Sequence, residues 1–247
     1  MPSTSRDHFS PLAAAYTRGR FGYPVELFDF LAGLCAAHHL AWDCATGSGQ
    51  AVRPLAERFQ QVIASDISSE LLERAPRMPN VLYIKASAED VPLLAGSVDL
   101  VTVAQALHWF DLEVFWGEVR RVLRPAGVFA FWGYNWPLVD PGIDAILNEF
   151  REEISADWPK QSALLHAGYG SVVPPFEAVA APPMEVLALW TAADYVAHLA
   201  SWSAVRYYRE RKGMNPLPGL EEKLGRVWPS DEQRRVRWPL VLRVFRV

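Results

Sequence analysis

WDCATGSGQ, residues 42–50, decides the fold. It joins the end of a short apolar run, LAWDCA at 40–45, to a helical stretch, AVRPLAERF at 51–59, and places Gly47 and Gly49 in the turn between them. In an open α/β sheet, ligands bind beyond the carboxyl ends of the strands, and the first strand-to-helix turn needs glycine where backbone must approach a ligand closely. The plain alternative is a tight turn without a ligand, since glycine-rich turns are common. What surrounds the turn separates the two readings.

Downstream, QVIASD (61–66), SSELLERAP (68–76) and NVLYIKA (80–86) read as strand, helix and strand. SVDLVTVAQ (97–105) continues as a strand, DLEVFWGEVRRVL (111–123) as an amphipathic helix stopped at Arg124-Pro125, and AGVFAFWGYN (126–135) as a fifth strand. Such alternation predicts a parallel sheet with right-handed crossovers. Upstream, Pro24 opens a helix whose Val25, Leu27, Phe28, Leu31 and Leu34 suit one face, and residues 2–22 carry no clear periodicity. Beyond Tyr134 come a helical stretch, IDAILNEFREEI (143–154), and a proline-rich piece with Pro174, Pro175, Pro182 and Pro183. MEVLALW (184–190) reads as a sixth strand and RWPLVLRVFRV (237–247) as a seventh, with helices between them opened by a capping-box variant, Thr191 to Asp194. The expected architecture is α/β: one domain over 1–247 built on a doubly wound, seven-stranded, mostly parallel Rossmann-like sheet. An N-terminal arm (1–23) and a helical insertion (about 191–228) acting as a lid complete it.

Composition narrows the partners. The chain is 51% apolar and 21% charged, the balance of an ordinary globular protein, and its net charge of -4 gives no general attraction to nucleic acid. A small-molecule substrate is expected. Cys35 and Cys44 are too few for a disulfide framework or a zinc site and read as reduced core residues; no metal is expected. No basic segment precedes an apolar run and no stretch reaches a membrane span, so no membrane partner and a cytoplasmic location are expected. Oligomeric state stays open, monomer or dimer.

The turn itself constrains the ligand. A dinucleotide fingerprint, G-x-G-x-x-G/A, needs glycine or alanine where this chain has Val52, which counts against an NAD-dependent oxidoreductase. The Gly-Lys-Ser/Thr ending of a phosphate-binding loop is missing too, so the expected ligand has no phosphate. Asp66, seventeen positions beyond Gly49, can accept hydrogen bonds from two vicinal ribose hydroxyls. It can also serve as an acid at the N-terminus of the following helix. Together with the glycine turn, ribose is favoured.

WDCATGSGQ, VIASD, KASAEDVPLLAGSVDLVTVAQALHWF (85–110) and VRRVLRPAGVF (119–129) resemble, in order and spacing, the successive motifs of class I S-adenosylmethionine-dependent methyltransferases. YTRGRFGYP (16–24), SWSAVRYYRE (201–210) and RRVRWPL (234–240) extend the similarity to a subgroup related to trans-aconitate methyltransferases. The resemblance implies the Rossmann-like methyltransferase fold and S-adenosylmethionine as cofactor. It implies that Asp43, Ala45, Gly47 and Gly49 surround the methionine portion, Asp66 and Ile67 the ribose and adenine, and Ser87 and Ala88 the adenine. Gln105 would lie beside the methionine moiety and the transferring methyl. Two departures stand out: Ala45 replaces the first glycine of many relatives, and Ser87 an acidic residue.

Methyl transfer from a sulfonium is an in-line displacement that mainly requires positioning, so no obligatory triad is expected. A carboxylate acceptor is already nucleophilic, whereas a hydroxyl benefits from a base, for which His108 in QALHWF is the best placed candidate; a structural hydrogen bond is the other reading. Trp109 reads as packing or as substrate wall. The resemblance places the arm with Tyr16, Arg20 and Tyr23 over the cofactor cleft, where Arg20 could pair a substrate carboxylate or simply pin the arm. Trp202 and Arg206, with Tyr207 and Arg209, read either as substrate lid or as packing face. His38, His39, Arg234 and Arg235 read as solvated surface. The leading expectation is a methyltransferase acting on a small acceptor; the competing ones are an NAD-dependent oxidoreductase and a non-catalytic S-adenosylmethionine-binding protein.

Overall fold

The structure, a computed structural model, describes residues 22–247. Helix α1 (Val25–Leu34) starts at Pro24, whose φ of -60° is already set for the entry, and buries Leu27, Phe28 and Leu31 while Val25 faces solvent. Strands β1 (Leu40–Cys44), β2 (Gln61–Asp66), β3 (Val81–Lys85), β4 (Val98–Ala104) and β5 (Leu123–Tyr134) pair in parallel in the order β3-β2-β1-β4-β5. β1 is covered on both faces, which is why LAWDC reads as a continuous run with no polar alternation.

The crossovers between these strands carry the short helices α2 (Val52–Ala56) and α3 (Ser69–Arg74) and the longer α4 (Leu112–Val122). Ser68 caps α3 by accepting from the Leu71 N–H, and Asp111 caps α4 by accepting from the Val114 N–H. After β3 the chain passes over β2 and β1 to lay β4 on the far side of β1. The carboxyl ends of β1 and β4 therefore form the switch point where an open α/β sheet holds its ligand.

The remainder of the chain departs from simple alternation. Helix α5 (Pro141–Glu153) is capped by Asp140, which accepts from the Gly142 and Ile143 N–H groups, and a single 3-10 turn (Ser155–Asp157) leads to α6 (Ser162–His166). Strand β6 (Glu177–Val179) is only three residues long and lies outside any predicted strand. MEVLALW does form a strand, β7 (Glu185–Trp190), but it takes a different place from the expected sixth position.

The last strand, β8 (Arg234–Arg246), explains both findings. Its second half, from Leu240, runs antiparallel to β5, and its last residues pair with β6, completing the seven-strand path β3-β2-β1-β4-β5-β8-β6. Its first half pairs instead with β7, Glu185 opposite Pro239 through Trp190 opposite Arg234. Pro239, which has no N–H to give, stands where the partners change, and the next N–H, of Leu240, reaches the Met184 carbonyl at 2.8 Å. β7 is thus an eighth strand that continues the sheet away from its parallel core.

Three further helices fill the predicted insertion: α7 (Ala192–Ala200), with Thr191 and Asp194 making a reciprocal capping box, α8 (Ser203–Lys212), ended by Gly213 at φ 67°, and α9 (Leu217–Gly225). They pack with α5 and the β7–β8 ribbon around Tyr195, Leu199, Leu220, Trp228 and Trp238, a core separate from the two that cover the faces of the parallel sheet. Cys44 is buried, and burial also pushes the Cys35 thiol up to about 12, so both stay protonated thiols. Among the described residues, no helix is long and apolar enough to cross a membrane.

Candidate active site

The turn after β1 is held in a left-handed backbone at three positions: Ala45 (φ 53°), Gly47 (φ 57°) and Gly49 (φ 84°). Ala45 thus keeps the conformation that a glycine would adopt freely, and hydrogen bonds around it hold the strain. The Thr46 N–H donates to the Ser65 carbonyl at 2.9 Å, the Gly47 N–H to Asp66 Oδ2 at 2.8 Å, and the Thr46 hydroxyl to Asp43 Oδ2 at 2.6 Å. Asp43 also accepts from the Thr102 hydroxyl at 2.8 Å. Burial pushes its carboxyl up to about 6 against those two hydroxyl donors, with Asp66 nearby adding to the rise. Asp66 in turn accepts from the Ser68 N–H at 2.9 Å, so its carboxylate is fixed in orientation at the end of β2.

A cavity of about 650 Å³ opens in front of this turn. It brings together Ala45, Gly47, Asp66, Ile67, Ser87, Ala88 and Gln105 from the ends of β1, β2, β3 and β4. Asp43 lies behind it, in an adjoining hollow of about 270 Å³ lined also by Tyr23, Ala45, Thr46 and Gly47. Gly49 is in neither lining. Its role is internal, because a Cβ there would stand 2.9 Å from Pro76 Cδ and 3.2 Å from Ala75 Cβ. Sequence reasoning missed Leu71, Phe110 and Glu89 in the same wall. Glu89 accepts from the Ser87 hydroxyl and, at 3.0 Å, from the Asp111 N–H, so a carboxylate is present where Ser87 seemed to remove one. Its place two residues after Ser87 is the signal that could have identified it.

A second cavity, of about 840 Å³, adjoins the first and shares Gln105 and Trp109 with it. Gln105 follows β4 with φ 58°, a further strained non-glycine residue at the junction. Its Nε2 donates to the Tyr134 carbonyl at 3.2 Å, while its buried Oε1 has no hydrogen-bond partner. His108 lines this second cavity, and its Nδ1 is 2.9 Å from the Tyr169 hydroxyl, which burial keeps protonated. The structural hydrogen bond and a place in the cavity therefore coexist at His108.

Trp202 lines the second cavity from the start of α8, but Arg206, one turn on, does not: its guanidinium sits over the Tyr207 ring at 4.4 Å and 3.9 Å from Glu210. Tyr23 stands against Trp132 at 5.3 Å, by the small hollow. Tyr16 and Arg20 lie outside the described residues. The sequence reading missed Trp136, Trp158, His166 and His198, which complete the second cavity. Ten tryptophans in 247 residues was the available signal, although it does not say which of them are lining.

Residues 42–131 match the family model described as a methyltransferase domain. Over 236 residues the chain is 30% identical to a Dictyostelium discoideum protein that carries a methyltransferase name, covering 94% of this chain and 90% of that one. A Mycobacterium tuberculosis protein named as an uncharacterized methyltransferase is 42% identical over 121 residues, 48% of this chain and 49% of its own length. A solved structure from Anaeromyxobacter dehalogenans, named as a type II methyltransferase, superposes with a TM-score of 0.86 at 39% identity, covering 92% of this chain and 97% of that one. With the sheet order, the switch-point turn and these relatives together, the chain belongs to the class I S-adenosylmethionine-dependent methyltransferases.

Proposed function

We propose that this enzyme binds S-adenosylmethionine in the cavity before the glycine turn and methylates a small molecule seated in the second cavity, at a carboxylate or hydroxyl oxygen. The observation that carries the placement is charge. The described lining of the cofactor cavity and its adjoining hollow contains Asp43, Asp66 and Glu89 and no lysine or arginine. Such a lining suits a cationic ligand and repels a pyrophosphate, which favours a sulfonium donor over a nicotinamide dinucleotide.

Asp66 would hold the ribose hydroxyls, Ile67, Leu71, Ala88 and Phe110 would flank the adenine, and the turn at Ala45 and Gly47 with Asp43 behind it would receive the methionine end. When bound, S-adenosylmethionine supplies a methyl carbon on a sulfonium, activated for in-line displacement with the bonding pair left on sulfur. This chain's part is to align the two cavities through Gln105 and Trp109, exclude water, and take a proton if the acceptor is a hydroxyl. His108, which lines the second cavity with its Nδ1 2.9 Å from the Tyr169 hydroxyl, is the residue assigned to that proton. The start of α8 and the end of α7 contribute His198, Ser201, Trp202 and Ser203, which supports reading the insertion as the acceptor's lid. The arm and C-terminal segments support the subgroup related to trans-aconitate methyltransferases.

Calorimetry with S-adenosylhomocysteine tests the assignment. The parent chain is expected to bind and Asp66→Ala to bind at least about tenfold more weakly, the loss of charged hydrogen bonds to ribose. A folded sample that takes up none at millimolar ligand refutes the reading. Release of S-adenosylhomocysteine in an acceptor screen separates an enzyme from a protein that only binds the cofactor.

A further inference from the structure

Beside the cavity proposed for the acceptor, and sharing Trp136, Trp158 and His166 with it, lies a third cavity of about 1120 Å³. Arg151 and Glu152, at the end of α5, and Lys160, in the turn before α6, line it from the other side. The second cavity shares Gln105 and Trp109 with the first, whereas the third shares no described lining residue with the first. The tryptophan wall therefore stands between a molecule in the third cavity and the turn after β1.

Arg151 dominates this third cavity. Its guanidinium lies 3.7 Å over the Trp136 ring and its Nη1 donates to Asn148 Oδ1 at 2.9 Å, so plane and orientation are both fixed. Arg121, Arg211 and Arg234 are raised by hydrogen-bonded carboxylates, but burial holds Arg151 below the ordinary arginine range. Glu152 shares the cavity without coming within ion-pair distance, and no other carboxylate among the described residues does so. A guanidinium drawn out of water without a counter-charge is costly, and an anionic ligand offsets that cost. Burial and the charge of Arg151 together push His166 down to about 4, so this ring adds no further cation at neutral pH.

The atoms available to a ligand are specific. Arg151 Nε is sealed off and unpartnered, so recognition falls to Nη2, which keeps access to solvent and makes no hydrogen bond among the described residues. Lys160 is exposed and forms no ion pair among the described residues. Next to these two cations, Trp136, Trp158 and Pro159 give the cavity an apolar flank. An inorganic anion would use the cations and leave that flank wet, whereas a planar organic acid uses both.

We infer that the third cavity is a binding site for a small organic acid with a planar apolar body, its carboxylate on Arg151 Nη2 beside Lys160 and its body against Trp158 and Pro159. This ligand is separate from the methyl acceptor.

Calorimetric titration of the cofactor-free protein with 2-naphthoate and with 2-naphthol at neutral pH tests the site. 2-Naphthoate is expected to bind at least about tenfold more tightly than its uncharged counterpart. Arg151→Gln is expected to weaken 2-naphthoate by about tenfold or more and Lys160→Glu severalfold, with S-adenosylhomocysteine affinity parent-like in both. No uptake of 2-naphthoate at millimolar ligand, equal or tighter binding of 2-naphthol, or parent-like 2-naphthoate binding by Lys160→Glu each overturns the inference. Lys160 is exposed, so its variant decides the matter even where Arg151→Gln fails to fold. Failure of the parent to bind S-adenosylhomocysteine refutes the methyltransferase reading instead and leaves this site standing.

Discussion

Ala45 shows how much backbone strain the turn tolerates. A left-handed conformation costs an L-residue about 1–2 kcal/mol relative to glycine, and here it is held by the hydrogen bonds of Thr46 to Asp43 and Ser65 and of Gly47 to Asp66. Ala45→Gly should therefore be accommodated without change of path, with S-adenosylhomocysteine affinity within about threefold of the parent. A tenfold or greater loss by calorimetry would show that the Ala45 methyl is itself part of the site. Gly49→Ala is expected to behave oppositely, since φ 84° and a Cβ 2.9 Å from Pro76 Cδ force a shift of the whole turn. A loss of about 1–3 kcal/mol in urea unfolding together with weakened cofactor binding is expected; parent-like stability and affinity would contradict the assigned packing role.

Asp43 gives a residue-level pH signature. Its carboxyl titrates near 3.8 when exposed and near 6 when buried beneath the turn. Between those values the folded chain keeps a proton that the unfolded chain has lost, so this group's contribution to stability falls as pH rises from about 4 to about 6. Asp43→Asn removes that dependence. The stability of D43N relative to the parent is expected to rise by on the order of 2–3 kcal/mol between pH 4 and pH 7. Urea unfolding of both proteins at the two pH values measures it; a flat or falling difference means that the carboxyl is not raised.

At the scale of elements, the acceptor wall depends on how α8 meets the turn after α5. Arg211 on α8 grips Asp157 with two parallel hydrogen bonds of 2.6 Å, and this charge pairing holds the Asp157 carboxyl below the usual range. Trp158 is the next residue along the chain. Arg211 is nearly half exposed, so water can take its place at Asp157 and Arg211→Ala should cost little stability. Its larger effect should fall on the wall of the second cavity: intrinsic tryptophan fluorescence shifted to longer wavelength, with S-adenosylhomocysteine affinity unchanged. Parent-like fluorescence would show that Trp158 is held without this pair.

The elements also show which sequence patterns were legible. The first five strands were readable because each is an apolar run bounded by a helix signal, and the chain order of such units fixes a parallel sheet. Glu177–Val179 was not readable: it is three residues long, largely exposed, and flanked by prolines at 174, 175, 182 and 183. The alternation of RWPLVLRVFRV marked a strand correctly but gave no sign that its two halves have different partners, because pairing depends on which edges other elements leave open.

Across the whole molecule, the cavity proposed for the cofactor and the one proposed for the acceptor are built by different parts of the chain and meet at Gln105 and Trp109. Ligands should therefore protect different regions from hydrogen exchange. S-Adenosylhomocysteine alone is expected to slow exchange in residues 45–50 and 66–68, and addition of an acceptor identified by S-adenosylhomocysteine release to slow it further around 158–166 and 198–203. Protection of the second set by the cofactor alone would mean that the helical insertion closes without acceptor and that the lid reading needs a different trigger.

The sequence by itself determined the parallel sheet and the residues that gather at its carboxyl edge. Gly47 and Asp66 follow from the glycine turn and its spacing, whereas Ala45, Ser87 and Gln105 were expected there from the family resemblance; all lie within a few positions of a strand's carboxyl end, and parallel strands bring those ends to one edge. Only the tertiary structure decided the second cavity. Trp136, Trp158, His166, His198 and Trp202 come from separate segments, and in sequence their rings look no different from the buried Trp132, Trp228 and Trp238. Apolar burial is non-directional and leaves no spacing signature, so whether an indole fills a core or walls a cavity is set by the packing of distant helices. The same packing put Trp202 in the wall and left Arg206 out of it.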